Sequence, residues 1–540
     1  MTRNGVTALS HAGRSLRHLL IFTLAMTFAA AAPRWAVLLV TLALAACGGG
    51  GGDVAAPSGA YATKTAYQPR QALSSYEAPP SGFTKVYTEL VARHGSRGLS
   101  SLKYDDAVLN LWNRAQADGA LTPLGQKLGP DVEKIMRANF LLGWGVAGIG
   151  TPGYGNLTQV GMTEHRQLAE RLAQRNPELF SGQTFQGVSR RVEVLHSGQD
   201  RAVDSSQFFA ASLASTAPAV AGSIAPAVVN RYQLYPHKLS ASGDAVADAT
   251  SVNAAVLAAS LDYQSYASAK DAAGFGAEAA AKVAAARAAP QVRSHARAVL
   301  ERLFTSAFID KLDAGTYTFS NNGTHTYSSA DGRFTNTLKG DGKTKIQGIV
   351  DAAALIYELY IIAPGMAQET GSLDFGVYMP FEYAPTFAYL QDIDDFYAKG
   401  PSASEYGGVT TRFTQALFKD FFDEVGLIAQ GRLERVARLR FTHAEVMIPF
   451  VARMGLRNAS TPMPRAQTYT YGNNPWRGED VSPMATNVQW DAVRDSRGTV
   501  LVKMLFNEQE VDFPAACDAA RYATGSRYYE YTGLKRCYGL

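Results

Sequence analysis

Short runs rich in β-branched and aromatic residues alternate along this chain with segments whose apolar positions recur at helical spacing. Residues 83–92 (FTKVYTELVA) have the content of a strand, which delivers Arg93 and His94 at its C-terminal end. Residues 157–175 follow as a helix, with Met162, Leu168 and Leu172 on one apolar face. Residues 190–196 (RRVEVLH) read as a second strand, followed by a helix through Phe208, Phe209 and Leu213. The character changes over residues 215–430: Ala-rich helical sequence at 253–300, a polar Gly/Thr/Asn stretch at 313–345, and further helices at 347–361 and 410–429. Core-like sequence returns at 438–442, a short strand leading into His443-Ala444-Glu445 and a helix over 446–456; residues 500–505 (VLVKML) read as a buried strand. The pattern predicts an α/β fold, a mixed, mainly parallel sheet flanked by helices, built from residues 81–214 and 431–540. Residues 215–430 are expected to form a large, mainly helical inserted domain. No internal repeat is visible.

The first 46 residues depart from this pattern. They contain Arg3, Arg14, Arg17 and Arg34 and no acidic residue, and an apolar run over 35–46 ends in Leu44-Ala45-Ala46-Cys47 before five glycines. A basic start, a short apolar segment and small residues before a cut describe a secretory signal peptide. The run is short for a membrane span. Leu44-Ala45-Ala46-Cys47 resembles a bacterial lipobox, which implies cleavage before Cys47, lipidation of its thiol and anchoring in the cell envelope. By the same resemblance Gly48 points to the outer membrane, facing periplasm or surface. A second apolar run lies at 19–32, so a start at Met26 would leave a cleaner leader. Residues 47–80, rich in Gly, Ala, Ser and Pro, read as a flexible tether.

Removing the leader changes the charge argument. The chain has 51 Lys+Arg and 47 Asp+Glu; without the leader's four arginines the two balance, so no field for nucleic acid remains and any anion site must be a local cluster. Of the three cysteines, Cys47 goes to lipid. That leaves Cys517 and Cys537 to form a disulfide in an exported protein, or to stay as two buried thiols. No Cys/His cluster suggests a metal, and a monomer is expected.

Arg93-His94-Gly95-Ser96-Arg97 sets two guanidiniums around an imidazole. Arginine forks offer a phosphate monoester bidentate, charge-assisted hydrogen bonds, and a neutral ring nitrogen between them can attack phosphorus. Gly95 lets the backbone pass close to a bound group. The bland alternative is a solvated basic turn. Two further segments share the layout of strand, ionisable residues, helix: His196/Arg201 and His443/Glu445. A parallel or mixed sheet gathers such exits on one edge. The result is a cationic pocket with a nucleophile and a carboxylic acid, an inventory suited to phosphoryl transfer. Taken alone, His443 would be a satisfied core histidine, Glu445 a charge at a helix N-terminus and Arg201 half of a surface ion pair. His196 is expected to be structural, and His165, His237, His295 and His325 to lie on surfaces or in helices. Gly342-Lys343-Thr344 hints at a phosphate loop, but the required earlier glycine is Thr337. His-Glu-x-x-His and Gly-x-Ser-x-Gly are both absent from the sequence.

These residues resemble those of the histidine acid phosphatases, in the branch that includes the multiple inositol polyphosphate phosphatases. Arg-His-Gly-x-Arg matches at 93–97 and His-Ala-Glu, the acid motif of that branch, at 443–445. HSGQDRAVDSSQFF resembles the family's third-arginine segment. YLQDIDDFYAKGP near 400, SPMATNVQW at 482–490 and the segment before residue 364 add support. The resemblance implies that His94 forms a phosphohistidine and that Arg93, Arg97, Arg201 and His443 hold phosphate oxygens. Glu445 would protonate the leaving group and then assist water, with no metal or other cofactor. It also implies a small phosphate ester as substrate, phytate first, with a broad acid phosphatase or a non-catalytic phosphate-binding lipoprotein as alternatives. After Arg97 the chain runs Gly98-Leu99-Ser100 instead of the Pro-containing continuation common in the family, which bears on contacts near the pocket.

Overall fold

The computed structural model describes residues 59–242, 251–271, 273–371 and 373–540. The expected leader, the expected lipidation site at Cys47 and the alternative start at Met26 lie outside the described residues. Eight strands form the central sheet: β1 (Thr84–Arg93), β2 (Arg191–His196), β3 (Val228–Val229), β4 (Arg435–Thr442), β5 (Asn487–Arg494), β6 (Val500–Phe506), β7 (Gln509–Val511) and β8 (Tyr528–Glu530). Their order is β7-β6-β5-β1-β4-β2-β3, with β8 also on β6. β1, β4, β2 and β3 run parallel, whereas β5, β6, β7 and β8 join by antiparallel pairings. The sheet is therefore mixed, as expected from sequence, with the parallel pairings on one side of β1 and the antiparallel ones on the other. The C-terminal strands return mostly through short connections, which only antiparallel pairing allows.

The helices that matter for the site are α1 (Tyr104–Ala117), α2 (Gly125–Phe140), α3 (Gln159–Arg175), α4 (Asp200–Thr216), α5 (Ile349–Ile362), α6 (Ala384–Ala398), α7 (Gln415–Ala429) and α8 (Ala444–Arg453). Thr158 caps α3, its hydroxyl accepting from the Gly161 amide. Alternate β1 residues serve two cores, as the strand's two-residue period requires. Leu90 and Ala92 pack with Leu168, Leu172 and Phe209 of α3 and α4. Tyr87 and Val91 pack with Phe421, Phe422 and Phe450 of α7 and α8. Covered on both faces, β1 is buried from Val86 onward.

Packing redraws the expected domain limits. The helical lobe buries one apolar cluster drawn mainly from two stretches, Leu99 to Phe140 and Val292 to Leu390, with Ala60 added from upstream. Residues 99–140, assigned from sequence to the sheet body, thus belong with the lobe. α7, assigned to the insertion, instead packs Phe421 and Phe422 edge-on against Trp490 of β5, at 5.4 and 4.9 Å between ring centroids. The polar stretch of the lobe folds as a hairpin, Thr324–Ser328 with Thr335–Lys339, flanked by a second short antiparallel pair, Phe319–Ser320 with Lys345–Ile346.

The flexible tether expected over 47–80 does not extend across residues 59–80, which lie packed on the body. Ala60, Ala62, Thr63 and Tyr67 are buried. The Tyr67 hydroxyl donates to Glu508 at 2.9 Å, and the Tyr357 hydroxyl to the Ala60 carbonyl at 2.5 Å. Gly/Ala/Ser composition misled here because the segment is held by its backbone carbonyls and by a few tyrosines. At the other end, Cys517 and Cys537 are joined in a disulfide across 20 residues, a loop closure that stabilises the fold by about 3 kcal/mol.

Candidate active site

β1, β4 and β2 end together: Arg93 stands opposite Thr442, and Phe441 opposite His196. The residues that follow each strand therefore meet at one edge, where ligands bind in open α/β sheets. The His94 amide donates to the Thr442 carbonyl at 2.8 Å, the Arg93 amide to Thr486 at 2.8 Å, and the Ala485 amide to the His94 carbonyl at 3.1 Å. The segment 482–490 thus buttresses the turn. Gly95 is needed for close backbone packing: a Cβ there would stand 2.5 Å from the Gly161 carbonyl, and one on Gly161 2.1 Å from that of Ser96. This contact seats the first turn of α3 against the loop. From that helix Glu164 reaches back and accepts from the Ser96 amide (2.6 Å), the Ser96 hydroxyl (2.8 Å) and the Tyr67 amide (2.9 Å). Burial pushes the Glu164 carboxyl up, and those three donors hold it down in part.

The hydrogen bonds fix the tautomer of His94. His94 Nδ1 lies 2.9 Å from the Gly95 carbonyl. A carbonyl only accepts, so Nδ1 carries the proton and Nε2 keeps its lone pair. Burial, then the charges of Arg201 and Arg93, hold the ring well below the usual histidine range, so it is neutral over physiological pH. The His443 ring stands 5.4 Å from it, centroid to centroid. His443 is the N-cap residue of α8; its Nε2 meets the Ser197 hydroxyl at 2.7 Å, and its buried Nδ1 has no partner. Burial also lowers this ring's proton affinity.

Arg201 enters from the first turn of α4. Ser205, one turn on, donates to the Arg201 carbonyl (2.7 Å) and accepts from the Gly95 amide (3.2 Å), tying the helix to the loop. Arg93 Nη1 donates to the carbonyls of Thr63 (2.5 Å) and Ser482 (2.6 Å), and Arg97 Nη1 to that of Gly98 (2.6 Å). None of the three guanidiniums pairs with a described carboxylate, and the Nε of each is buried without a partner. Burial and mutual repulsion push Arg93 and Arg97 down to about 10. Burying unpaired cations is costly unless an anion joins them.

Arg93, His94, Arg97, Arg201 and Glu445 line one cavity of about 440 Å³, with Lys64, Arg287 and Lys399 on its other walls. His443 sits just behind the wall, fully buried. Burial works against ionisation of Glu445, but the Lys399 ammonium, the His237 and His443 rings and a backbone hydrogen bond together outweigh it and hold the carboxyl well below the usual carboxylate range. Lys399 is itself paired with Asp395 at 2.5 Å. A larger cavity of about 630 Å³, lined by Gly455, Phe513 and Arg521 among others, contains none of these residues. Among the described residues no cluster of His, Cys, Asp and Glu could hold a metal ion.

The other sequence expectations divide. His196 lies outside the cavity, accepting from the Gly198 amide at 3.1 Å, as a structural residue would. Gly98 and Leu99 turn away into the helical lobe, where Asn139 Oδ1 accepts from the Leu99 amide at 2.7 Å. The missing proline therefore affects lobe packing more than the cavity wall. His165 and His295 lie in helices and His237 in a short helical turn. His325 differs: it stands on a hairpin strand, half-buried, 2.8 Å from Asp106. Sequence reasoning passed over Lys64, Glu164 and Lys399. Lys399 lay inside the quoted YLQDIDDFYAKGP segment. Glu164 and Lys64 carry no local signal, since their partners are remote in sequence.

The model of the histidine phosphatase superfamily (branch 2) matches residues 86–507. Among solved structures, the chain is similar to the Bifidobacterium longum multiple inositol polyphosphate phosphatase in complex with inositol hexasulfate. Identity is 31% and the TM-score 0.77, over 89% of this chain and 97% of that one. The phosphate complex of the same enzyme gives 30% and 0.78, over 89% and 98%. The phytase from D. castellii, 12% identical with a TM-score of 0.56 over 89% of this chain and 84% of that one, shares the fold. No curated protein sequence matches the chain.

Proposed function

The chain belongs to branch 2 of the histidine phosphatase superfamily and is a phosphatase, and from that premise we propose that it hydrolyses inositol polyphosphates such as phytate through a phosphohistidine on His94. The observation that carries this reading is the group of three guanidiniums without carboxylate partners, each with a buried, unpartnered Nε, beside an imidazole whose Nε2 lone pair is free.

A phosphate monoester enters with its non-bridging oxygens on Arg93, Arg97 and Arg201, and His443 Nδ1 supplies a further donor once its tautomer places the proton there. Nε2 of His94 attacks phosphorus in line with the ester oxygen; the P–O bond breaks as the N–P bond forms. Glu445 gives its proton to the departing alkoxide. In the free enzyme this carboxyl is ionised, but the substrate's negative charge cancels the cationic field that keeps it so and favours proton uptake on binding. Glu445, now a carboxylate, takes a proton from water as that water attacks the phosphohistidine. The N–P bond breaks as the water oxygen bonds to phosphorus, phosphate leaves, and Glu445 releases its proton to solvent, so that His94 and Glu445 are restored. Positioning and charge stabilisation carry the catalysis.

The substrate class is supported by the similarity to an enzyme whose structure holds an inositol bearing six sulfates, groups with the shape and negative charge of phosphates. Incubation of residues 47–540 with phytate is expected to release inorganic phosphate at the same rate with and without chelator. An inert protein, or one silenced by chelation, overturns the reading.

Export rests on Leu44-Ala45-Ala46-Cys47 and is supported by the Cys517–Cys537 disulfide, which suits an oxidising compartment. In a bacterial host the full chain is expected to incorporate labelled fatty acid and fractionate with the outer membrane. Equal labelling of a Cys47→Ser variant would rule out the anchor.

A further inference from the structure

The cavity has a cation that the chemistry above does not use, and it comes from ahead of the family-matched region. Residues 59–67 pass between the sheet body and the helical lobe. The hydroxyls of Tyr360 and Tyr357 donate to the carbonyls of Gly59 (2.6 Å) and Ala60 (2.5 Å), and the Met484 amide to that of Thr65 (2.9 Å). Arg93 holds the Thr63 carbonyl, and Tyr67 is fixed by Glu164 and Glu508. The backbone on both sides of Lys64 is thereby anchored, and its side chain lines the cavity.

The Lys64 ammonium makes no ion pair among the described residues; its one hydrogen bond, to Thr63 Oγ1, is long at 3.5 Å. Arg93 and Arg97 face it from the end of β1, Glu358 from α5 and Asp395 from α6. Burial and the Arg97 charge push it down to about 8, the opposite of what a bound carboxylate would do. Arg93, Arg97 and Arg201 already match the charge of one phosphate monoester. A fourth unpaired cation gains an anionic partner only when the ligand carries a second phosphate.

We propose that Lys64 is a specificity-determining residue that holds a second phosphate of a polyphosphorylated substrate, making the segment 59–67 part of the substrate site. This deepens the function proposed above and rests on it. A lysine suits the task because a compact ammonium on a flexible stem can follow differently placed phosphates.

The test compares kcat/KM for phytate and for p-nitrophenyl phosphate, which carries a single phosphate, in the wild type, Lys64→Met and Lys64→Arg. In Lys64→Met the phytate-to-monoester ratio is expected to fall about tenfold or more through KM, as suits the loss of one charge-assisted contact. Lys64→Arg, which keeps the charge, is expected to restore most of it. Equal changes with both substrates, or none, overturn the assignment while leaving the phosphatase reading intact. Inactivity of the wild type toward both substrates overturns that reading instead. Calorimetric binding of phytate against inorganic phosphate then still decides the role of Lys64: phytate affinity lost in Lys64→Met supports it, and unchanged affinity refutes it. Should Lys64→Met fail to fold, Lys64→Gln replaces it in the same comparison.

Discussion

His94→Ala is expected to lower kcat for phosphate release by at least about 10⁴-fold, because removing a nucleophile forces the reaction onto a direct path with water. Rapid quenching of the wild type with radiolabelled ester should yield an acid-labile, base-stable phosphoprotein that the variant lacks. Full activity in the variant would show that another group attacks. The geometry also fixes the pH behaviour. The His94 ring is held well below its usual range, so its neutral, nucleophilic form persists as pH falls through 6.5. The acid limb of kcat/KM should therefore not follow ordinary histidine titration but lie well below it. An acid limb centred near 6.5 would mean that the ring titrates freely, contrary to its burial among Arg93, Arg97 and Arg201.

Glu445→Gln is the second large effect, and its diagnostic is the leaving group. A proton donor matters most when the departing oxygen is a poor leaving group, so hydrolysis of phytate and other alkyl phosphates should slow by about 10²–10⁴-fold. With p-nitrophenyl phosphate, whose leaving group departs readily as the anion, the loss in the first step should be far smaller. The second step still needs a base for water, so the phosphoenzyme should accumulate in the variant with the aryl substrate. Equal losses of kcat/KM, which reports the first step, with alkyl and aryl esters would refute the acid role and leave Glu445 as part of the cavity's charge balance with Lys399.

The site was more legible in the sequence than the domain limits, and the reason is physical. Arg93, His94 and Arg97 lie within five residues, and His443 and Glu445 within three, because each group sits in the turn between one strand and one helix. The strand C-termini then bring the turns together without further instruction. Lys64 and Glu164 were not legible, because their roles come from tertiary hydrogen bonds such as Thr63 to Arg93 and Ser96 to Glu164. Gly95 was assigned a close approach to ligand, whereas it makes a close approach to Gly161; one residue cannot reveal which backbone comes near. The helical lobe misled for another reason. Helical periodicity shows that a segment has an apolar face but not which core that face will join, so α1 and α2 were placed with the sheet and α7 with the lobe. A mixed sheet was expected, but which strands pair antiparallel was hidden, because buried parallel and antiparallel strands share the same apolar run.

The packing of residues 59–80 bears on how this enzyme can be made. A fragment cut at the family-matched limits, 86–507, would begin inside β1 and lose the carbonyl of Thr63 that receives Arg93 Nη1. It would also lack Tyr67, which anchors Glu164, together with Glu508, β7, β8 and both halves of the disulfide. A working fragment thus reaches upstream at least to residue 59, so a cut within 59–80 is expected to cost activity even where the family-matched region is left whole.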